Sequence, residues 1–95
     1  MIDYSELATT IGRNLRMRRR EVFPRDTQID MAARLGVSIA TYSRMERGDA
    51  RVSFRHYLTA ADILGCRKDF GELFTHPDRR EDLIDSLLRE YGESL

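Results

Sequence analysis

The sequence predicts an all-α protein. Residues that start helices recur along the 95-residue chain, and each is followed by apolar residues at helical spacing. Glycine or proline follows most of these segments, at the points where a helix is expected to end. No segment shows the strict alternation of apolar and polar residues that is typical of a half-buried strand. We therefore expect six helices, of which the fifth is short.

The first helix is predicted from a capping box at its start. Asp3 and Glu6 stand three residues apart, in the pattern by which two side chains satisfy the free amides of a helix start. The helix is expected to end near Glu21, because Pro24 restricts the residue before it to extended conformations. Its apolar positions at helical spacing are Tyr4, Leu7, Ala8, Ile11 and Leu15.

Two short helices follow, separated by a turn of very few residues. Thr27, with Asp30 three residues later, is expected to cap a helix over residues 27–34. Ser38 is expected to cap the next helix. Gly36 lies between the two helices and permits a positive φ, so the chain can reverse sharply there.

The remaining helices are predicted from similar signals. Ser53 is expected to cap a fourth helix over residues 54–64. A second capping box at residues 69–72 is expected to open a short fifth element. A sixth helix is expected over residues 78–91, after a proline that cannot continue the preceding segment.

The net charge of zero conceals a division along the chain. Residues 1–68 contain thirteen Lys and Arg against eight Asp and Glu, whereas residues 69–95 contain three against eight. All the basic residues but one are arginine, whose planar guanidinium group matches the geometry of phosphate. A polyanionic partner is therefore expected to bind the first two thirds of the chain.

Residues 27–48 have the pattern of a helix-turn-helix, in which two short helices are joined by a turn that contains glycine. At about 100° per residue, Tyr42 and Met45 point to one side of the second helix. They are expected to form a core with Met31 and Val37. The opposite, outer face is small, partly apolar and basic, and its residues are Ile39, Ala40, Ser43, Arg44 and Arg47.

This outer face suits the major groove of DNA, which is about 12 Å wide. Ile39 and Ala40 are apolar and can lie against thymine methyl groups. Arg44 can donate two hydrogen bonds to guanine, and Ser43 can donate to or accept from either base type. Helical bundles that bind no nucleic acid also contain short helices with a glycine turn, so the pattern favours DNA binding without requiring it.

Other residues are candidates for binding the DNA backbone. The helix start at Thr27 presents free amide groups and the positive end of a helix dipole, and Gln28 adds a side-chain donor. Arg47 and the amide groups near Gly48 are expected at the other flank. The wider basic field consists of Arg13, Arg16, Arg18, Arg19, Arg20, Arg25, Arg51 and Arg55.

The same segment carries a family resemblance. The matching positions are Thr27-Gln28, Ala32, Gly36-Val37-Ser38, Tyr42-Ser43, Met45-Glu46 and Gly48, and further on Ser53, Leu58, Ala61, Leu64 and Gly65. On these positions the chain resembles the Cro/phage-repressor family of helix-turn-helix domains, also called the XRE family, over roughly residues 8–75. The resemblance implies a compact five-helix repressor-like bundle in residues 1–75. It also implies that the third helix enters the major groove and that a two-fold homodimer binds a palindromic operator.

Carried over by position, the resemblance implies two sets of contacts with double-stranded DNA. The base-contacting residues would be Ser38, Ile39, Ala40, Ser43 and Arg44. The phosphate-contacting residues would be Thr27, Gln28 and Arg47. Glu46 resembles a structural position of the family, so we expect it to hold the helix end and the following loop.

Residues 76–95 extend beyond the core fold of the family and are expected to form a C-terminal amphipathic helix. This helix is expected to pair with a second copy, to pack on its own domain near Phe70, Leu73 and Phe74, or to dock on another protein. A membrane surface is disfavoured because the polar face is net acidic. The apolar stripe consists of Leu83, Ile84, Leu87, Leu88 and Tyr91.

No enzymatic site, metal site or cofactor is expected. His56 and His76 are isolated, and Cys66 is the one cysteine, so the sequence contains no cluster of metal ligands. It contains neither a nucleophile motif nor a phosphate-binding glycine loop. The single cysteine favours a reducing compartment. No apolar run approaches the roughly 20 residues of a membrane span and no signal peptide is apparent, so we expect a cytoplasmic protein.

The sequence supports two functional hypotheses. The first is a sequence-specific DNA-binding transcriptional regulator, a repressor that occupies its operator as a homodimer. The alternative is the antitoxin of a toxin–antitoxin pair, which binds a toxin protein and also regulates its own operon. Residues 42–53 resemble the corresponding segment of some antitoxins, and the C-terminal helix would hold the toxin.

Overall fold

The computed structural model describes residues 3–75, which form five α-helices and no strand within that range. The helices are α1 Ser5–Val22, α2 Gln28–Leu35, α3 Ile39–Glu46, α4 Phe54–Ile63 and α5 Arg67–Gly71. The all-α prediction is confirmed. The predicted sixth helix over residues 78–91, with its apolar stripe, lies outside the described residues.

Local capping chemistry starts and ends α2 and α3 as the sequence predicted. The Thr27 hydroxyl accepts a hydrogen bond from the Asp30 amide, and the Asp30 carboxylate accepts one from the Thr27 amide at 2.8 Å. Ser38 caps α3 by accepting from the Thr41 amide at 3.0 Å. Gly36 ends α2 with a φ of 72°, in the left-handed region that glycine adopts without strain.

The two capping boxes predicted at residues 3–6 and 69–72 are not formed, and Ser53 precedes α4 without the predicted side-chain cap hydrogen bond. The Asp3 carboxylate accepts from the Ser5 amide two residues ahead, at 2.9 Å, and α1 has no side-chain cap. The fifth helix begins at Arg67 and not at a capping box on Asp69. Gly65 adopts a φ of 71° and turns the chain directly after α4, so the next helix starts at once and Asp69 lies inside its first turn.

The core is formed by side chains of α2, α3 and α4. Its largest fully buried members are Met31, Tyr42 and Met45, which confirms the core predicted from the spacing of these residues. Val37 packs against this core and is partly buried. Small and aliphatic residues complete it, namely Ala32, Ala60 and Leu64. The inner face of α3 is therefore fully occupied by the core.

The contact between α1 and the end of α3 depends on glycine on both sides. A Cβ atom at Gly12 would lie 2.5 Å from the Gly48 nitrogen and 2.6 Å from the Glu46 carbonyl oxygen. Gly48 has a φ of 76°, and a Cβ atom there would overlap the Ala8 carbonyl group. The two segments therefore touch backbone to backbone, at a distance that only glycine permits.

A buried ion pair also joins α1 to α3. Arg19 donates from Nε to Glu46 Oε2 at 2.7 Å and from Nη2 to Oε1 at 3.2 Å, and both side chains are buried. Arg19 Nη1 also donates to the Asp26 carbonyl at 2.6 Å, and Gln28 Nε2 donates to Glu46 Oε1 at 3.0 Å. Glu46 thus has the structural role expected of it, and it ties the end of α3 to α1 and α2.

Candidate nucleic-acid interface

The outer face of α3 is open to solvent. Tyr42 and Met45 are fully buried on the inner face, and Glu46, the one acid of α3, is buried with Arg19. The outer face therefore carries no acid. Of the five predicted base-contacting residues Ser43 is half-buried, and the exposed four are Ser38, Ile39, Ala40 and Arg44.

The turn before α3 fixes the angle at which this face is presented. Only residues 36–38 separate α2 from α3. The Val37 amide donates to the Ala32 carbonyl at 3.0 Å, which anchors the turn on the preceding helix. Ser38 then caps α3, so the first turn of the outer face has a fixed backbone. Two short helices held at a fixed angle by a tight turn have the geometry of a helix-turn-helix motif.

The three predicted phosphate-contacting residues lie in different environments. Arg47 directly follows α3 and is exposed. Thr27 is also exposed, but both its amide and its hydroxyl group are engaged by the Asp30 carboxylate. Gln28 is half-buried and uses one side-chain hydrogen on Glu46. Arg47 is therefore the one of the three whose side chain extends into solvent next to α3.

The structure divides the predicted basic field. Arg19 is buried in its ion pair, and Arg18 donates from Nε to the Leu64 carbonyl at 2.9 Å and from Nη1 to Glu21 at 3.2 Å. These two arginines stabilise the fold. The exposed members of the field are Arg13, Arg16, Arg20, Arg25, Arg51 and Arg55.

An open groove lies beside α3 and was not predicted as a unit. Arg44 of the outer face lines it together with Asp49 and Arg51, which follow α3 in the chain. Sequence reasoning placed Arg51 in the general basic field, and the acid at position 49 was not singled out. The groove is completed on the α4 side by Ser53 and His56, and the Ser53 hydroxyl makes no cap hydrogen bond.

Asp49 and Arg51 form the dominant polar contact in this groove. Hydrogen bonds from the Arg51 side chain and then from its amide lower the pKa of Asp49 to about 2, so the carboxylate is ionised at neutral pH. The Arg51 guanidinium, in turn, has a pKa raised by the hydrogen bond to Asp49. The groove therefore holds two cationic side chains and one fixed anion.

The buried pair under α3 makes stability depend on pH. Burial raises the pKa of Glu46, but hydrogen bonds, of which that from Arg19 is the largest, outweigh burial and place the pKa below its ordinary value of 4.5. A carboxylate whose pKa is lower in the folded state contributes stability that is complete above the unfolded pKa and is lost as the pH falls through the folded value.

We therefore expect the free energy of unfolding to fall as the pH is lowered through and below about 4.5, the ordinary value for a glutamate. The variant Glu46→Gln lacks the titrating group, so its free energy of unfolding should fall less steeply over the same range. Urea unfolding at a series of pH values measures both slopes. Identical slopes in the two proteins would contradict the assignment of this dependence to Glu46.

Two further features of residues 3–75 bear on function. No helix in this part of the chain is long and apolar enough to cross a membrane. These residues also contain no group of three or more histidine, cysteine, aspartate and glutamate side chains that could hold a metal ion. Cys66 is a free, half-buried thiol.

Comparison with known proteins identifies the family. The family described as helix-turn-helix domain matches residues 10–69, which include most of α1, the whole of α2, α3 and α4, and the start of α5. No curated protein and no solved structure matches the chain. The match covers more than half of the chain and includes the braced pair of helices described above. The chain therefore belongs to the helix-turn-helix domain family.

Proposed function

We propose that this chain is a sequence-specific DNA-binding transcriptional regulator without enzymatic activity, which represses transcription by occupying its operator. The observation that carries the proposal is the exposed, acid-free outer face of α3, held beside the turn at Gly36. A helix presented in this way fits the major groove of B-DNA, which is about 12 Å wide.

In this proposal α3 reads the base edges. Arg44 donates two hydrogen bonds to a guanine, the pairing that the fork of guanidinium N–H groups favours. Ile39 and Ala40, both exposed, contact thymine methyl groups, and Ser43 bonds to a base edge in the middle of the helix. The Ser38 hydroxyl caps α3 and donates to Thr41 Oγ1 at 2.9 Å, so it contacts a base edge only as an acceptor. Specificity thus comes from one strong polar contact and a small apolar surface.

Phosphate contacts flank this helix. Arg47 is exposed directly after α3 and is the first candidate. Thr27 and Gln28 lie at the start of α2 and bind the phosphates on the other side. Gln28 donates the side-chain hydrogen that Glu46 leaves free, whereas Thr27 donates its hydroxyl hydrogen only after releasing the bond to Asp30. Such contacts fix the register of the protein on the duplex but do not read its sequence.

We propose that the protein binds as a homodimer on a palindromic operator. Two features support a second copy as partner. Phe54 and Leu58 of α4 are exposed, and the Phe54 ring lies 6.4 Å from that of Phe70 on α5. The sequence of residues 76–95 also contains the apolar stripe described above, which would cover the surface at Phe54 and Leu58 of the second copy.

The proposal is tested by selection from a pool of random duplexes with the purified full chain. A palindromic motif should be enriched, and a duplex that carries it should bind roughly 10³-fold or more tightly than a scrambled duplex of the same composition. Both affinities should fall as salt rises. Equal affinity for the two duplexes would reject sequence-specific binding.

The variant Arg44→Ala is expected to reduce the discrimination between the selected and the scrambled duplex by about 1–3 kcal/mol, because it removes the contact to guanine. Fluorescence anisotropy with both duplexes measures this difference. Arg47→Ala serves as the matched control: it should weaken binding to both duplexes about equally, since a phosphate contact carries no sequence information. A uniform loss in Arg44→Ala would contradict its role in base reading.

A second candidate function is that of an antitoxin, which binds a toxin protein as well as DNA. The observation that favours it is an apolar surface at the start of α1, where Tyr4, Leu7 and Ile11 are exposed; none of the three belongs to the outer face of α3. Co-expression with the product of the neighbouring gene distinguishes the candidates. An antitoxin relieves the growth arrest that the neighbour causes by itself, and Leu7→Asp should abolish that relief.

A further inference from the structure

Asp49 is an unusual residue for a DNA-binding groove, because its carboxylate repels phosphate. It lies three residues after α3 and lines the same groove as Arg44. Its backbone is held at both ends: its amide donates to the Arg44 carbonyl at 3.0 Å, and its carbonyl accepts from the Tyr57 hydroxyl at 3.2 Å. The carboxylate therefore has a fixed position relative to α3, and its side chain is only 16% exposed.

Arg51 makes three hydrogen bonds to this carboxylate. Its amide and its Nε donate to Oδ1 at 2.9 Å and 3.0 Å, and its Nη2 donates to Oδ2 at 2.9 Å. The Arg51 side chain is nevertheless 89% exposed. Nη1 and one hydrogen of Nη2 make no bond to Asp49, so the outer edge of the guanidinium is open to solvent and keeps the planar geometry that binds phosphate.

The bond from the Arg51 amide stabilises the turn after α3, but it does not account for the two bonds from the Arg51 side chain. An ion pair with one partner this exposed contributes little to folding stability, because water and salt screen it. What the contact does achieve is to give a long, flexible side chain one orientation, and to cancel its charge while it is not bound to DNA.

We propose that Asp49 is a specificity-determining positioning residue that acts through Arg51. It holds the guanidinium so that the outer edge meets a phosphate only when α3 is seated in the correct register, and its negative charge weakens the attraction of Arg51 for DNA of any sequence. The inference rests on the proposed function and deepens it. An arginine without such a partner would bind phosphates equally in all registers, and the protein would discriminate less.

The test uses Asp49→Asn in the full chain, with two duplex probes: the one recovered by selection with the wild-type protein, and a scrambled duplex of the same composition. The variant should bind the scrambled duplex more tightly, with a salt dependence steeper by about one phosphate contact. Binding to the selected duplex should not improve to the same extent. The ratio of the two affinities should therefore fall by about 10-fold.

Two further variants separate positioning from other effects. In an Arg51→Ala background, Asp49→Asn should leave the affinity ratio unchanged, because Asp49 then has no arginine to hold. Asp62→Asn removes the carboxylate of another ion pair, with Arg67 at 3.6 Å, and should leave the ratio at the wild-type value. If Asp49→Asn lowers the thermal midpoint of unfolding, Arg51→Lys serves in its place, since lysine keeps the charge but cannot form the paired bonds.

The outcomes are distinct. A wild-type protein that discriminates, together with an Asp49→Asn variant of equal discrimination, overturns this inference and leaves the proposed function intact. The same holds if the ratio falls equally in the Arg51→Ala background, since the carboxylate would then act on DNA directly. A wild-type protein that does not distinguish the two duplexes rejects the proposed function and this inference with it.

Discussion

Replacing Gly48 by alanine is expected to lower the free energy of unfolding by more than about 3 kcal/mol, a large part of the stability of a small domain. The new Cβ atom would overlap the Ala8 carbonyl group and crowd the Thr9 nitrogen, and both of these are backbone atoms that cannot rotate away. The residue would also have to keep a φ of 76°, which alanine adopts with strain. Gly12→Ala is expected to have a similar effect from the α1 side.

The chain provides matched controls for this prediction. Gly36 also has a positive φ, of 72°, but a Cβ atom there meets nothing within 4 Å, so Gly36→Ala should cost only about 1–2 kcal/mol of backbone strain. Gly71 has neither a positive φ nor a close neighbour, and Gly71→Ala should be close to neutral. Urea unfolding, monitored by the circular dichroism signal of the helices, ranks the variants by their free energy of unfolding. Equal costs at Gly48 and Gly36 would show that the close contact with α1 does not contribute.

The second large effect is expected from Glu46→Leu, which should cost about 3–5 kcal/mol. The variant leaves the Arg19 guanidinium buried with its principal partner removed, at a site where both side chains are almost inaccessible to water. The double variant Arg19→Met, Glu46→Leu should recover most of this loss, because it removes the unpaired charge and fills the space with apolar atoms. Arg19→Met measured by itself completes the cycle.

The double-mutant cycle separates the pair from its surroundings. Strong coupling between the two substitutions is expected, since neither charge is tolerated without the other. Additive effects would mean that the loss comes from packing or from the bond between Gln28 and Glu46, and not from the pair itself. DNA binding by the double variant is a further readout: the outer face of α3 is unchanged, so affinity should return with stability.

The sequence predicts best those features that depend on residues a few positions apart. The capping box of Thr27 with Asp30, the Ser38 cap and the left-handed turn at Gly36 were all foreseeable, because each is formed within one turn of chain. Helical periodicity likewise assigned Tyr42 and Met45 to the core. The outer face of α3 follows from the same periodicity, as it is the side that the core leaves free.

Local patterns also failed where two of them competed. The capping box expected at Asp69 is a valid signal, but the turn at Gly65 allows the helix to start three residues earlier. Asp3 satisfies an amide two residues ahead and so does not cap α1. In both cases the capping pattern is present in the sequence, but the chain forms a different local hydrogen bond or turn nearby. The types of residue present do not show which of the two forms.

The sequence by itself determined the helical class, the braced pair of helices and the side of α3 that is free to meet a ligand. Only the tertiary structure decided which arginines stabilise the fold and which are exposed to solvent. Arg19 is buried against Glu46, whereas Arg51 is exposed and is held by Asp49 at the edge of the groove. Capping and periodicity act within a few residues of the chain, but the partner of a charged side chain is determined by the packing of distant segments. Arg19 and Glu46 are 27 residues apart, and Arg18 and Leu64 are 46 residues apart. The contact between Gly12 and Gly48 also depends on the tertiary structure. The need for glycine at these positions comes from backbone atoms of the other segment, which lie too close for a side chain.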